Sequence, residues 1–416
     1  MSNHTVIIGA GISGLYSAYK LQERYPDEPI HIFEKEITIG GRLHSVIASN
    51  GCVIDLGAAR FNLDTHHLVR KLIKLFDIKI NAYPYSIESN TPDNVLKELQ
   101  LLKKFISSEN TLSFFDLLKM HPNTLFFENV IGSLGYDVLR NTNLSINEGY
   151  RILNCHPELL HNGMPINKWQ RIQEGFYSLA STLNKKLQQC NIAVNFSHEL
   201  LSITTKKSQH FLEIYHAGEI KTFSCKNLIL ALPIAALRKI KTNHTMINTA
   251  QKSIVTISLF KAFLTFAECW WEEVLPENIY YMTSTTPLRR IYFNKKQKQI
   301  FIYSDSESAE RLNNLFMNSG MSRAIQFLLK QLSQITGIQK ILSPIEIHYK
   351  FWPDGVSFWN LNKDANILSK KFITGTPNLT LLSDMFSTHS GWVEGALQNV
   401  EQWIDSIKYR GKYVNT

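Results

Sequence analysis

Thr5-Val-Ile-Ile8 followed by Gly9-Ala-Gly11-Ile12-Ser13-Gly14 is the stretch that decides the fold. An apolar run of strand type feeds a glycine-rich turn, and Leu15, Ala18 and Leu21 then recur at the spacing of one helix face. Glycines at 9, 11 and 14 permit the tight turn, a close backbone approach to a pyrophosphate, and contact between helix and strand. The helix N-terminus adds N–H donors and the positive end of a dipole. Working outward, Ile30-His-Ile-Phe33 reads as the next strand, and Glu34 stands 20 positions past Gly14. That is where a carboxylate meets a ribose hydroxyl, with Lys35 beside it. These features predict a dinucleotide site in an α/β domain, against the plainer alternative of a glycine turn with no ligand.

Composition narrows the remaining classes. The chain has 416 residues, too many for one core, and its 44% hydrophobic and 19% charged content is that of an ordinary globular protein. The net charge of +9 is spread over scattered lysine pairs such as Lys103-Lys104 and Lys370-Lys371. No basic stripe with interleaved aromatics occurs, so nucleic acid is not expected as a partner. The five cysteines show neither CxxC nor metal spacing, which points to a reduced protein without a metal site. Ser253 to Trp271 is the most apolar long window, yet Lys261 and Glu268 interrupt it, so no membrane span is expected. Met1 to Thr5 lead straight into the first strand, and the expected location is cytoplasmic.

Strand-like and helical patterning alternate in blocks. The expected division is a dinucleotide domain in three segments (1–62, 170–246 and 375–416), a helical insert over 63–169, and a sheet-rich substrate domain over 247–374. One helix, at about 321–336, is expected within that last unit, and a long terminal helix from Gly391 carries Val393, Ala396, Leu397, Val400, Trp403, Ile404 and Ile407 as one stripe. A cofactor domain that resumes twice suits a large flavin dinucleotide better than NAD.

Four further stretches resemble the flavin amine oxidase family. Ile39-Gly-Gly41-Arg42 resembles its GGR turn, and Ile54-Asp-Leu-Gly57-Ala58-Ala59-Arg60 the segment under the isoalloxazine. Lys261, with Trp271 ten positions on, looks like the lysine that holds a water at flavin N5. Ser383-Asp384 through Gly391-Trp392-Val393 to Ala396 is similar to the motif that closes over FAD. Leu200 and Asn227 to Pro233 match positions touching the adenosine half. Outside these, Ser133 to Asp137, His156 to Glu158, Pro287 to Phe293, Tyr303 to Ser306 and Lys350 to Trp352 resemble the L-tryptophan oxidase branch of violacein biosynthesis.

The resemblance implies an α/β fold with a Rossmann-like FAD-binding domain of the amine oxidase type. It implies oxidation of an L-amino acid, L-tryptophan or another bulky one, to the 2-imino acid, with O2 reduced to hydrogen peroxide. Arg60 is then the carboxylate clamp, since its planar fork binds a carboxylate bidentately; pairing with an FAD phosphate is its other reading. Tyr303 shares the carboxylate, Lys261 orients the water, and Trp392 walls the amine side; plain core is the alternative for Tyr303 and Trp392. Tyr136, His156 and Trp352 surround the side chain. FAD is expected to be non-covalent, because the last cysteine, Cys269, precedes the C-terminal motif. A homodimer and a downstream enzyme that consumes the imine are compatible partners. Polyamine or monoamine oxidase and an FAD dehydrogenase are the alternative activities. The adjacent His66 and His67 fall on different helix faces and are expected to be structural or solvated.

Overall fold

The structure is a computed structural model that describes residues 4–83, 97, 99, 101, 111–122, 125–154, 168–275, 280–374, 376 and 378–411. Strand β1 (Thr5–Ile8) is buried throughout and runs into helix α1 (Ile12–Arg24) and strand β2 (Ile30–Phe33). The glycine turn closes tightly. A Cβ on Gly14 would lie 1.9 Å from the Gly9 carbonyl oxygen, and Gly9 itself holds φ +103° against Ala231. Only glycine admits both approaches.

Next come the two-stranded ribbon β3 (Ser45–Ile47) and β4 (Val53–Asp55), then β5 (Phe61–Asn62) and helix α2 (His67–Leu75). Strand β6 (Ile80–Ala82) and strand β7 (Trp169–Ile172) join β5 in a small sheet, which sets Trp169 opposite Asn62. Strand β8 (Val194–Asn195) pairs with β2. Strands β9 (Glu199–Lys206), β10 (Gln209–His216) and β11 (Glu219–Cys225) form an antiparallel sheet with β13 (Lys241–Thr242) at its edge. Strand β12 (Asn227–Leu230) returns to pair with β1.

A parallel sheet therefore assembles in the order β19-β12-β1-β2-β8, with β19 spanning Leu379–Leu381. One of its faces carries α1, helix Tyr177–Gln189 and the terminal helix Val393–Gly411, joined through Ile7, Leu15, Leu183, Leu397 and Val400. The other face packs through Val6, Ile8, Leu230 and Leu212 on the antiparallel sheet and its helices. Helices on both faces of a mostly parallel sheet make a doubly wound Rossmann-like domain.

The second sheet has the order β15-β16-β17-β14-β18 and holds β14 (Ile254–Thr265), β15 (Tyr280–Thr283), β16 (Arg290–Asn294), β17 (Gln299–Asp305) and β18 (Glu346–Trp359). The apolar window around residue 260 is the interior strand β14, between β17 and β18. Ile257 and Phe263 face the helical insert, while Phe260, Ala262 and Leu264 face helices Ser306–Ser319 and Met321–Thr336. A strand buried on both faces reads as continuous apolar sequence, because neither side meets water. The helix expected at about 321–336 stands at Met321–Thr336. Ser306–Ser319, a second helix before it, was not anticipated, since its buried positions are only Ala309, Leu312 and Phe316. Among the described residues, no helix is long and apolar enough to cross a membrane.

Gly14→Ala is expected to destabilise the fold by at least about 2 kcal/mol, because the clash is with backbone rather than a movable side chain. Gly132, on helix Phe126–Leu134, has nothing within 4 Å of its added Cβ. Gly132→Ala should accordingly stabilise by about 0.4–1 kcal/mol. Thermal unfolding of the two variants checks the pair.

Candidate active site

A cavity of about 920 Å³ runs from the glycine turn to the central sheet. At one end Gly9, Gly11, Ile12, Ser13, Glu34, Lys35, Gly41, Arg42 and Leu200 line it. Gly14 does not; it lies behind the turn, against Gly9 and Ala231. No side chain caps the N-terminus of α1 at Gly11, so the helix presents its dipole end to the cavity. The Glu34 carboxylate is held in place by Ala10 N–H at 2.7 Å and Glu36 N–H at 2.9 Å. Lys35 pairs with Glu36 at 3.1 Å.

In the middle, Gly57 passes so close to Arg42 that a Cβ would meet the Arg42 carbonyl oxygen at 1.8 Å. Ala58 N–H bonds that same carbonyl at 3.0 Å, which straps the 54–60 segment to the GGR turn. Arg42 in turn pairs with Asp384, whose Oδ2 also accepts the Gly391 N–H at 3.2 Å. Ala59, Gly391, Trp392 and Val393 complete this stretch of wall. The uncapped helix end and the Glu34 carboxylate fit a dinucleotide, while positions 9, 14 and 57 tolerate no side chain because backbone packs against each.

At the far end, one row of the central sheet faces the cavity. Arg290 pairs in register with Tyr303, Tyr303 with Lys261, and Lys261 with Lys350, and all four line the cavity. Directly paired residues share a face, so the register alone gathers them. Lys261 is 7% exposed, and its ammonium donates to the carbonyl oxygens of Gly57 and, at 3.5 Å, Asp55. Burial pushes its pKa down to about 8; the Asp55 carboxylate opposes that shift and Arg60 adds to it. Asp55 is fixed by Ser45 at 2.6 Å and Phe176 N–H at 2.9 Å, and burial holds its carboxyl above the usual range.

Arg60 lies across from that row. Its guanidinium stacks 4.3 Å over Trp169, with Tyr83 at 5.5 Å and Trp392 at 6.0 Å. Trp169 stacks on Trp392 at 5.6 Å, and His66 abuts Trp392 at 4.8 Å. Trp352 donates its indole N–H to the Leu56 carbonyl at 2.8 Å. Tyr136 is buried and receives a hydrogen bond from Arg290. His156 lies outside the described residues.

Sequence reasoning did not single out Arg290 and Lys350, which line the cavity, or Trp169, which stacks on Arg60. Trp169 carries no motif; it arrives through β-pairing with Asn62. His66 and His67 were expected to be structural or solvated, and they are: buried His66 accepts the Asn62 N–H at 3.3 Å as the N-cap residue of α2 and borders the cavity, while His67 is exposed. Glu394 explains the placement: its buried carboxylate caps α2 by accepting the Leu68 N–H at 3.0 Å and the Val69 N–H at 3.0 Å. Arg290 could have been flagged, as Lys261 was, by a charge inside an apolar strand.

Comparison with known proteins agrees with this geometry. A family model for an NAD(P)-binding Rossmann-like domain matches residues 7–76. The chain is 22% identical to an uncharacterized protein of Acanthamoeba polyphaga mimivirus, over 98% of this chain and 93% of that one. It is 24% identical to achacin of Lissachatina fulica (83% of this chain, 80% of the other). It is also 24% identical to an L-amino-acid oxidase of Siganus canaliculatus (65% and 58%). The structure superposes on a putrescine oxidase variant with redesigned cofactor binding at a TM-score of 0.77, 14% identity, and coverage of 98% and 99%. The fold is thus that of the flavin amine oxidases: a Rossmann-like dinucleotide domain with a sheet-rich second unit.

Burial pushes the His66 pKa down to about 3, with Arg60 and His389 adding to the effect. An unfolded histidine binds its proton near pH 6.5, so the folded state loses stability as pH falls from there toward 3. His66→Phe is expected to flatten the pH dependence of the thermal midpoint in that window by about one proton. Unfolding curves recorded between pH 3 and 7 for both proteins measure it.

Proposed function

We propose that this chain is an FAD-dependent oxidase of L-amino acids, belonging to the flavin amine oxidase family. The observation that carries the reading is one chamber, continuous with the dinucleotide cleft, that collects the Arg60 guanidinium, the Tyr303 hydroxyl and the Lys261 ammonium. FAD, held by Gly9 to Ser13, Glu34, Arg42, Gly57 to Arg60, Leu200, Asp384 and Gly391 to Val393, supplies the two-electron acceptor when bound. No cysteine lies in the C-terminal motif, so a link through a cysteine there is not part of this reading.

The chain's own groups account for the rest. Arg60 binds the substrate carboxylate, and Trp169, stacked on its planar fork, orients it and shields one face. Tyr303 donates to the same carboxylate; burial and the Asp305 charge hold its phenol protonated, so it serves as a donor throughout the working pH range. The combined positive charge of Arg60, Arg290 and Lys261 disfavours a substrate ammonium and favours the neutral amine that oxidation requires. Lys261 holds a proton at Nζ, next to the Gly57 carbonyl, and positions water for dioxygen reduction. Trp392, Tyr136 and Trp352 wall the side-chain space, which fits the bulky aromatic substrate that the L-tryptophan oxidase resemblance implies.

An amine oxidase is the competing reading, because the putrescine oxidase shares the fold. Three cations around the chamber count against it, since a substrate ammonium would enter a field of its own sign. The free thiols of Cys52, Cys190, Cys225 and Cys269 support placement in a reducing compartment, as in cytoplasm.

Peroxide release should separate these readings across the twenty L-amino acids and a set of polyamines, with amino acids expected to dominate and L-tryptophan among the best. Arg60→Ala, assayed in its FAD-loaded form, should raise KM for amino acids by about thirtyfold to several thousandfold, the effect of roughly 2–5 kcal/mol for a lost buried charge pair. Lys261→Met should lower turnover in air and abolish the inflection near pH 8 expected in the wild-type kcat profile. Amines outcompeting every amino acid, with Arg60→Ala kinetically silent, would sink the proposal.

A further inference from the structure

Arg290 has only a field effect in the reading above, yet it is built into the chamber with care. Its side chain is 2% exposed. Nε donates to Tyr281 Oη at 3.0 Å and Nη1 to Tyr136 Oη, while Nη2 has no hydrogen-bond partner. No carboxylate among the described residues forms an ion pair with it. The neighbouring Arg289 shows the contrast: it pairs with Asp137 at 3.2 Å and donates to the carbonyls of Ser284 at 2.9 Å and Ile131 at 3.1 Å. One arginine of the pair has a carboxylate counter-charge from the protein, and the other has none among the described residues.

The placement of Arg290 is sterically specified as well. Gly135 ends its helix at φ +65°, and a Cβ there would lie 2.8 Å from Arg290 Cγ, so the glycine keeps the channel for the arginine stem open. The guanidinium carbon then stands 4.3 Å over the Tyr136 ring and 5.8 Å over the Tyr303 ring. Neutral phenols solvate a cation through their faces and oxygens, but they do not cancel its charge. In the sheet Arg290 lies two strands from Lys261, about 10 Å at the usual strand spacing, with Tyr303 between them. An L-amino acid held by Arg60 and Tyr303 therefore has a second cation within its reach.

We propose that Arg290 sorts side chains by charge in this chamber: an acidic end is bound at its buried, unpartnered Nη2, and a second ammonium is refused. The proposal rests on the amino acid reading and refines it. Acidic L-amino acids and their elongated dicarboxylic relatives gain a hydrogen-bonded ion pair, basic amino acids and diamines meet repulsion, and a neutral indole is neither held nor refused by this residue.

The test uses unreactive ligands on the FAD-loaded protein, with the flavin absorbance change as the binding signal. Succinate, glutarate and adipate are titrated against butyrate, pentanoate and hexanoate. The best-fitting dicarboxylate is expected to bind at least tenfold tighter than the monocarboxylate of equal length. Arg290→Gln should erase that ratio by weakening the dicarboxylates more than the monocarboxylates, and Arg290→Lys should restore part of it. Equal binding of the two acid series by the wild-type protein overturns the proposal, even if neither variant folds. A parallel loss of both series in Arg290→Gln also overturns it, by making Arg290 the α-carboxylate clamp. A flavin that responds to diamines and to no carboxylate overturns the amino acid reading itself, a result distinct from the other two.

Discussion

The buried ammonium of Lys261 is the constraint around which the two halves of the molecule are arranged. A lysine in the centre of a strand that is apolar on both sides is tolerated only if its charge finds acceptors. The acceptors are main-chain carbonyls of Gly57 and Asp55, from the segment that also lines the dinucleotide cleft. The Asp55 carboxylate nearby supplies counter-charge. One side chain thus ties the central sheet to the Rossmann-like unit and fixes where the cleft ends and the chamber begins.

From that anchor the chamber follows by geometry. Register brings Tyr303 and Arg290 into line with Lys261, and the irregularity in pairing between Ile257 and Leu259 carries the Trp352 to Gly355 turn of β18 to the cavity wall. Across the gap, the small β5–β7–β6 sheet supplies Trp169 as a platform for Arg60. Glu394 links the terminal helix to α2 and sets His66 against Trp392. Each wall is held by a different part of the chain, so the chamber exists only in the folded state.

Charge gives the chamber its chemical direction. Two guanidinium groups and a buried amine stand around a space walled largely by tryptophan, tyrosine and phenylalanine. Low polarity magnifies each of these charges and penalises those left uncompensated. A ligand bearing carboxylate relieves that penalty, while one bearing only ammonium deepens it. On the proposed reading, this asymmetry, rather than the shape of the cavity, is what separates amino acids from amines.

Motif and period were enough to read the glycine turn, Glu34, the apolar run from Ser253 to Trp271 and the stripe of the terminal helix, because each depends on contacts within a short stretch of chain. The GGR turn, the 54–60 segment, Lys261 and the 383–396 motif were legible as a set through their family resemblance. Trp169, the contact of His66 with Trp392 and the unpartnered Nη2 of Arg290 were not, and Ser306–Ser319 was missed because its buried face is sparse. Trp169 reaches Arg60 through a strand pairing, His66 reaches Trp392 through a cap donated from far along the chain, and the state of Arg290 depends on which partners the fold denies it. Local sequence determined the elements and the dinucleotide turn. Tertiary structure alone decided which charges are neutralised by the protein and which are left facing the chamber, since burial and counter-charge are set by residues hundreds of positions apart.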